Sequence, residues 1–311
     1  MRITRKSTIL SAAGAALLLG LTACGPAGSA GPGGVDDSGS GDGGEATGNG
    51  PYSLEIAENP EFEEGTMMAE LAEAGTITIG TKFDQPLFGL QGPDGTPVGF
   101  DVAIAALVAA ELGIAFEDIE WTEAQSSVRE SFLESDQVDM VVATYTINDA
   151  RKERIDFAGP YFIAGQDILV AAGNPEGIEG PEDLEGLPVC SAEGSTPAAT
   201  ISEQYGAELL AAGGYSDCLD PLRNGQVVAV TTDNVILSGF VDQNPGEFEL
   251  LGETFTEEPY GIGIPKGDDA FRTFINDLLE EAFEDGTWAR LFEETAGTVI
   301  DVPEPPSVDR Y

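Results

Sequence analysis

The chain has 311 residues, 41% of them hydrophobic, enough for two domains with a sizeable core, which excludes a disordered or collagen-like protein. Its 56 acidic side chains against 13 basic ones give a formal net charge of −43, so nucleic acid is repelled as a partner. There is no histidine, which removes histidine-dependent triads, zinc sites and proton shuttles and leaves binding, or catalysis by carboxylates, hydroxyls and lysines.

Arg2, Arg5 and Lys6 precede an apolar run from Ile9 to Leu21. At 13 residues that run is too short to cross about 30 Å of hydrocarbon comfortably, so residues 1–23 read as a signal peptide. The segment ends Leu21-Thr22-Ala23-Cys24, which resembles the lipobox of bacterial lipoproteins and implies lipidation of Cys24, palmitate included. The alternative is a plain secretory signal with a chance cysteine. Two or three acyl chains anchor stably where one does not. The protein is therefore expected to be exported and lipid-anchored to the outer face of the cytoplasmic membrane, with a charge of about −46 once the three basic residues leave. Residues 24–60 are expected as a disordered tether. From 25 to 50 they are Gly, Ser, Pro, Asp and Glu with almost no bulky apolar side chain, and reach roughly 25–30 Å.

Beyond the tether, short β-rich runs alternate with helical patterns, which argues for α/β architecture with mostly parallel sheets. A lead-in helix is expected at 61–74, a strand at 77–79, a helix at 101–112 with Ile104, Leu107, Val108 and Leu112 on one face, a helix at 126–134 and a buried strand at 138–143. A strand at 168–171 leaves this first lobe. A second unit then offers a strand at 188–191, a helix at 198–211, a strand at 227–231, a helix at 235–240 and a strand at 248–251. Residues 260–265 return the chain to the first lobe, where 270–284 and 288–294 are amphipathic helices. The expected division is lobe 1 at 61–171 plus 259–300, lobe 2 at 172–258 and a tail at 301–311.

In open α/β sheets ligands bind beyond the carboxyl ends of strands. Four such places gather Thr81, Lys82, Phe83 and Asp84; Thr144, Thr146 and Arg151; Gly194, Ser195 and Thr196; Thr232 and Asp233. A guanidinium, an ammonium, hydroxyls, helix-start N–H groups, a ring and a carboxylate fit a zwitterion. Each also has a plainer reading. Arg151 lies among Lys152, Glu153 and Arg154, as on a solvated face; Asp233 can cap the next helix; Ser195-Thr196-Pro197 can be only a cap followed by proline.

The motifs resemble those of the polar-amino-acid substrate-binding proteins of ABC importers, solute-binding family 3, with the two-lobed type II periplasmic-binding-protein fold. The resemblance rests on Gly99-Phe100-Asp101-Val102, on the run from Thr144 through Arg151 to Tyr161, on Gly194-Ser195-Thr196-Pro197, on Ala229 to Asp233 and on Pro259 to Gly267. It is closest in character to actinobacterial glutamate-binding lipoproteins, through residues 80–86 and the Cys190/Cys218 pair. With Cys24 at the processing site of an exported chain, Cys190 and Cys218 are left to pair with each other.

The resemblance implies that Arg151 holds an α-carboxylate with Thr146 and Thr196, that Asp233 takes the α-ammonium, that Thr144 and Ser195 line the site, and that a ring near Phe83 covers it. It implies hinge closure about strands near 168–172 and 257–261, a monomer, no cofactor, and delivery of an amino acid to an ABC permease with separate ATPase subunits. Glutamate is the favoured ligand and glutamine the next, with Lys82 as the side-chain cation, since Arg129, Arg272, Arg290 and Arg310 fall on expected outer helices or the tail. The alternatives are a ligand sensor for a membrane receptor and a dehydratase-like enzyme on the same fold. The latter needs a second acid beside Asp233, for which Glu193 and Asp84 are candidates.

Overall fold

A computed structural model describes residues 50–311. The signal peptide, Cys24 and most of the tether lie outside them. Residues 50–60, expected within the tether, correct that boundary by packing on the body. Tyr52 is 4% exposed, its hydroxyl donates to Gly99 O at 3.1 Å and accepts from Gly99 N at 3.0 Å, and Arg290 Nη1 donates to Tyr52 O at 2.9 Å.

The first half of the chain gives α1 (Met67–Ala74), β1 (Ile77–Thr81), a small antiparallel sheet of β2 (Asp84–Gln85), β3 (Gly89–Gln91) and β4 (Pro97–Val98), then α2 (Phe100–Glu111), β5 (Ile119–Glu123), α3 (Arg129–Glu134), β6 (Met140–Val141), α4 (Asp149–Lys152) and β7 (Asp156–Ala164). α1 starts later than expected because the Thr66 hydroxyl caps it, accepting from Ala69 N at 3.3 Å. β1, β5 and β6 run parallel, with Ile77 opposite Ile119 and Ile79 opposite Met140. α2 is buried on every face from Phe100 to Ala110, since five alanines let sheet, lead-in segment and a later helix all approach it.

At Gly165 the chain crosses over. β8 (Gln166–Ala171), read from sequence as leaving the first lobe, is a member of the second sheet. There follow β9 (Pro188–Ala192), α5 (Thr196–Glu203), β10 (Glu208–Ala212), α6 (Leu219–Arg223), β11 (Ala229–Asp233), α7 (Asn234–Gln243) and β12 (Phe248–Leu250). The chain returns through β13 (Glu258–Ile264), and α8 (Asp269–Asp285) and α9 (Thr287–Glu294) pack on the first lobe. The two sheets read β5-β1-β6-β13-β7 and β10-β9-β11-β8-β12. Each is mixed, because β13 and β8 run antiparallel to their neighbours. This is the two-lobed fold expected.

The helix expected over 198–211 is corrected. α5 stops at Glu203, Gly206 turns at φ +69°, and residues 208–212 form β10 along β9, with Glu208 opposite Pro188. The helix-favouring Glu-Leu-Leu-Ala-Ala sequence yields because the open edge of β9 offers backbone partners. Elements legible only afterwards include the small strands β2 to β4, α6, β5, whose Ile-Glu-Trp-Thr-Glu alternates, and the long β7.

Cys190 on β9 is bonded to Cys218, 28 residues on. Closing that loop restricts the unfolded chain by about 3.5 kcal/mol in the chain-entropy account. Thiol titration of the soluble body should find no free thiol, and reductant should lower its unfolding free energy by roughly that amount. Two reactive thiols in the unreduced protein would contradict the bond.

Candidate functional site

β1 delivers Lys82 to the inner rim of lobe 1, where it is 3% exposed and its Nζ donates to Ser126 Oγ at 2.9 Å. Burial, and then the Arg129 charge, bring its pKa down to about 7, against the opposing pull of Asp84 and Asp101. Phe83 beside it is half-buried, and its carbonyl accepts from Gln91 N at 3.0 Å, joining the rim to the small sheet.

β6 delivers Thr144, held at φ +45°, an uncommon region for a β-branched residue. Its backbone N donates to Asp101 Oδ2 at 2.7 Å, and its hydroxyl lies 2.9 Å from Gln85 Oε1. Asp101 is fixed in turn by the Tyr161 hydroxyl at 2.6 Å. Burial pushes the Asp101 carboxyl up to about 6 in spite of these donors. Gln85 is fully buried, and its Nε2 has no hydrogen-bond partner among the described residues.

Arg151 follows one turn on, on a helix capped by Asn148, whose side chain accepts from Arg151 N at 2.9 Å. It is 7% exposed, so the solvated-face reading is set aside. Its Nε donates to Glu130 at 3.1 Å, Nη1 to Thr146 O at 2.6 Å and Nη2 to Gly194 O of lobe 2 at 3.3 Å. The guanidinium reaches across the cleft. Arg129, expected on an outer helix, is corrected: α3 is short and begins at the cleft. Arg129 is 2% exposed, donates through Nη1 to Ala143 O at 2.9 Å, and keeps a buried Nε without a partner among the described residues. The Tyr145 ring lies 4.0 Å from the Arg129 guanidinium carbon and 4.9 Å from that of Arg151, so its π-face eases the meeting of two cations.

On lobe 2, Ser195 caps α5, its Oγ accepting from Ala198 N at 3.1 Å. The Thr196 hydroxyl donates to Glu258 Oε2 at 2.8 Å and lies 3.3 Å from Thr146 Oγ1 of lobe 1. Asp233 stands at the start of α7 but its side chain does not cap it. Instead Oδ2 accepts from the Tyr260 hydroxyl at 2.6 Å, while Oδ1 is buried and without a partner among the described residues. Burial first, and then Glu258, push its pKa up to about 7. Of the acids named beside Asp233, Glu193 is exposed and Asp84 is engaged by Ser216; the acid beside it is Glu258, unrecognised in the sequence because it opens a strand far along the chain.

These shifts have a sign. Unfolded, Asp233 loses its proton near 3.8; folded, it keeps it to about 7, so its burial erodes stability as pH rises between those values and costs most above 7. Lys82 loses its proton near 7 folded and 10.5 unfolded, so its penalty is largest below 7 and fades above it. Asp233→Asn should therefore raise the melting temperature of the unliganded protein by a few degrees at pH 8 and change it little at pH 4. Equal shifts at both pH values would refute the buried-charge account.

Two α/β lobes joined by crossing segments, with cations on one lobe's strand ends facing a carboxylate on the other's, define a solute-binding protein of the type II periplasmic fold. The chain belongs to the bacterial extracellular solute-binding proteins, family 3, which match it over residues 77–298. It is 40% identical over 248 residues to the glutamate-binding protein GluB of Corynebacterium efficiens, covering 76% of this chain and 84% of that one. It is 35% identical over 230 residues to the ABC transporter glutamine-binding protein GlnH of Bacillus subtilis, covering 73% and 83%. Among solved structures, an ancestral arginine-binding protein bound to arginine superposes with a TM-score of 0.66 at 36% identity, covering 71% of this chain and 98% of that one. Membership places the chain among binding proteins rather than enzymes, as the motifs had suggested. No helix among the described residues is long and apolar enough to cross a membrane.

Proposed function

We propose that this protein captures a polar amino acid, glutamate ahead of glutamine, by closing its lobes, and delivers it to an ABC permease driven by separate ATPase subunits. The observation that carries this reading is the placement of Arg151 on lobe 1, whose guanidinium reaches Gly194 O of lobe 2, opposite Asp233 on lobe 2, whose buried Oδ1 has no partner among the described residues. A free acceptor enclosed in a dry site is costly unless an ammonium meets it. Arg151, Thr146 and the start of α5 suit the α-carboxylate. Thr196 contributes by position more than by its hydroxyl hydrogen, which is directed to Glu258. Lys82 and Arg129 give lobe 1 two further buried cations, which favours an anionic side chain. The names of the corynebacterial and Bacillus relatives agree with these two ligands.

The signal-like start and Cys24 support export and a lipid anchor, which radiolabelled palmitate on wild type and Cys24→Ala would test. Ligand identity is tested by a thermal-shift panel of the twenty amino acids on the soluble body. Ligand at 100 times its dissociation constant adds about 2.7 kcal/mol, so glutamate should give the largest rise. A panel with no shift, or a larger one for a cationic amino acid, would overturn the assignment.

A further inference from the structure

The lobes also meet through groups that the binding assignment does not use. Asp84 of β2 directs Oδ2 to both the backbone N and the hydroxyl of Ser216 on lobe 2, each at 3.2 Å. Ser216 opens the 3-10 turn Ser216–Cys218, and the loop before it contains Gly213 and Gly214. A Cβ at Gly214 would stand 2.3 Å from Asp84 Oδ2, so a side chain there would push the carboxylate aside. The loop is tied at both ends of this contact. Gly214 N donates to Asp217 Oδ2 at 3.1 Å, and Cys218 is bonded to Cys190 on β9, the strand that leads to Ser195. A second close approach lies nearby in the same interface: a Cβ at Gly239 of α7 would stand 2.9 Å from the Pro86 carbonyl oxygen, one residue beyond β2.

We propose that Asp84 and residues 213–218 form a latch that holds the closed lobes together and sets how long a ligand is retained, whatever its side chain. The two partners sit on different lobes, so their hydrogen bonds exist only when the cleft is shut, and a contact made in one state alone shifts the equilibrium toward that state. The carboxylate accepts two hydrogen bonds, which strengthens it, and lies partly open to water, which weakens it. The disulfide keeps the donor pair in place at the latch rather than touching ligand.

The latch rests on the amino-acid-binding reading only for its probes, glutamate and glutamine. In stopped-flow release, Asp84→Ala should speed dissociation of both by roughly ten-fold and leave their affinity ratio unchanged. Ser216→Ala, which keeps the backbone donor, should do so by less; Gly214→Ala, which displaces the Asp84 carboxylate, should resemble Asp84→Ala. Small-angle scattering on the same proteins without ligand separates the two readings. If neither amino acid binds but Asp84→Ala is more expanded than wild type, the ligand assignment falls and the latch stands. Unchanged release rates, an altered glutamate-to-glutamine ratio, or equal radii when nothing binds would each overturn the latch.

Discussion

Arg151→Ala and Asp233→Ala are each expected to weaken binding of every amino-acid ligand by two or more orders of magnitude, about 2.7 kcal/mol. Removing one partner of a charge pair in a water-poor site leaves the other charge unpaired, and that penalty exceeds the worth of the pair itself. For Arg151 the loss extends further. Its three donors hold Thr146 O, Glu130 and Gly194 O, so alanine also takes the ion-pair partner from Glu130 and removes a tie between the lobes. Arg151→Lys should rescue little, because an ammonium cannot span three acceptors in a planar fork. For Asp233 too a tie between the lobes is lost, since Tyr260 of β13 loses its acceptor, and the ligand ammonium loses its partner. Titration calorimetry checks both. A loss of ten-fold or less would place the residue outside the site.

Lys82→Met should reverse the preference between ligands: glutamate affinity falls by about 100-fold while glutamine changes by less than about three-fold. Lys82 Nζ has one neutral partner, the Ser126 hydroxyl, and its pKa of about 7 reflects burial beside Arg129 without a carboxylate close enough to restore it. An anionic side chain would supply that charge and draw the pKa back up, so glutamate binding should take up a fraction of a proton near pH 7.5, seen as a buffer-dependent calorimetric enthalpy. Glutamine binding should instead release a fraction of a proton, as its ammonium draws the Asp233 pKa down from about 7. Equal losses for the two ligands in competition calorimetry would assign selection to Arg129 instead, and tighter binding of glutamine by the unmodified protein would end the glutamate reading.

The sequence made the strand ends legible because chemistry-bearing residues follow apolar runs directly: Lys82 after β1, Thr144 after β6, Asp233 closing β11. It also carried the choice of Cys190 and Cys218. It was silent where a role depends on what packs nearby. Arg129 reads as a surface cation until the short α3 and the Tyr145 ring are seen to enclose it. Glu258 is one acid among 56 until Thr196 and Thr256 are found donating to it. Residues 208–212 favour a helix by composition, and only the open edge of β9 makes them a strand. Cap or ligand contact could not be separated by spacing at Ser195 and Asp233. Geometry decides the cap alone: the Ser195 side chain caps its helix and the Asp233 side chain does not.

The chain leaves lobe 1 after Ala164 and re-enters at Glu258, and these two residues are cross-strand partners in β7 and β13. Lobe 2 is thus inserted at a single point of lobe 1, with its entrance and exit side by side. Such a module can be exchanged between relatives without breaking the sheet that receives it, since the splice falls on two adjacent backbone positions. In a chimera, Asp233, Ser195 and Thr196 would travel with the insert, while Lys82, Arg129 and Arg151 would stay with the host. On the proposed assignment, recognition of the amino-acid backbone is divided between the two parts while the cations that choose the side chain belong to the host alone, so a transplanted lobe 2 is expected to inherit the selectivity of the protein that received it.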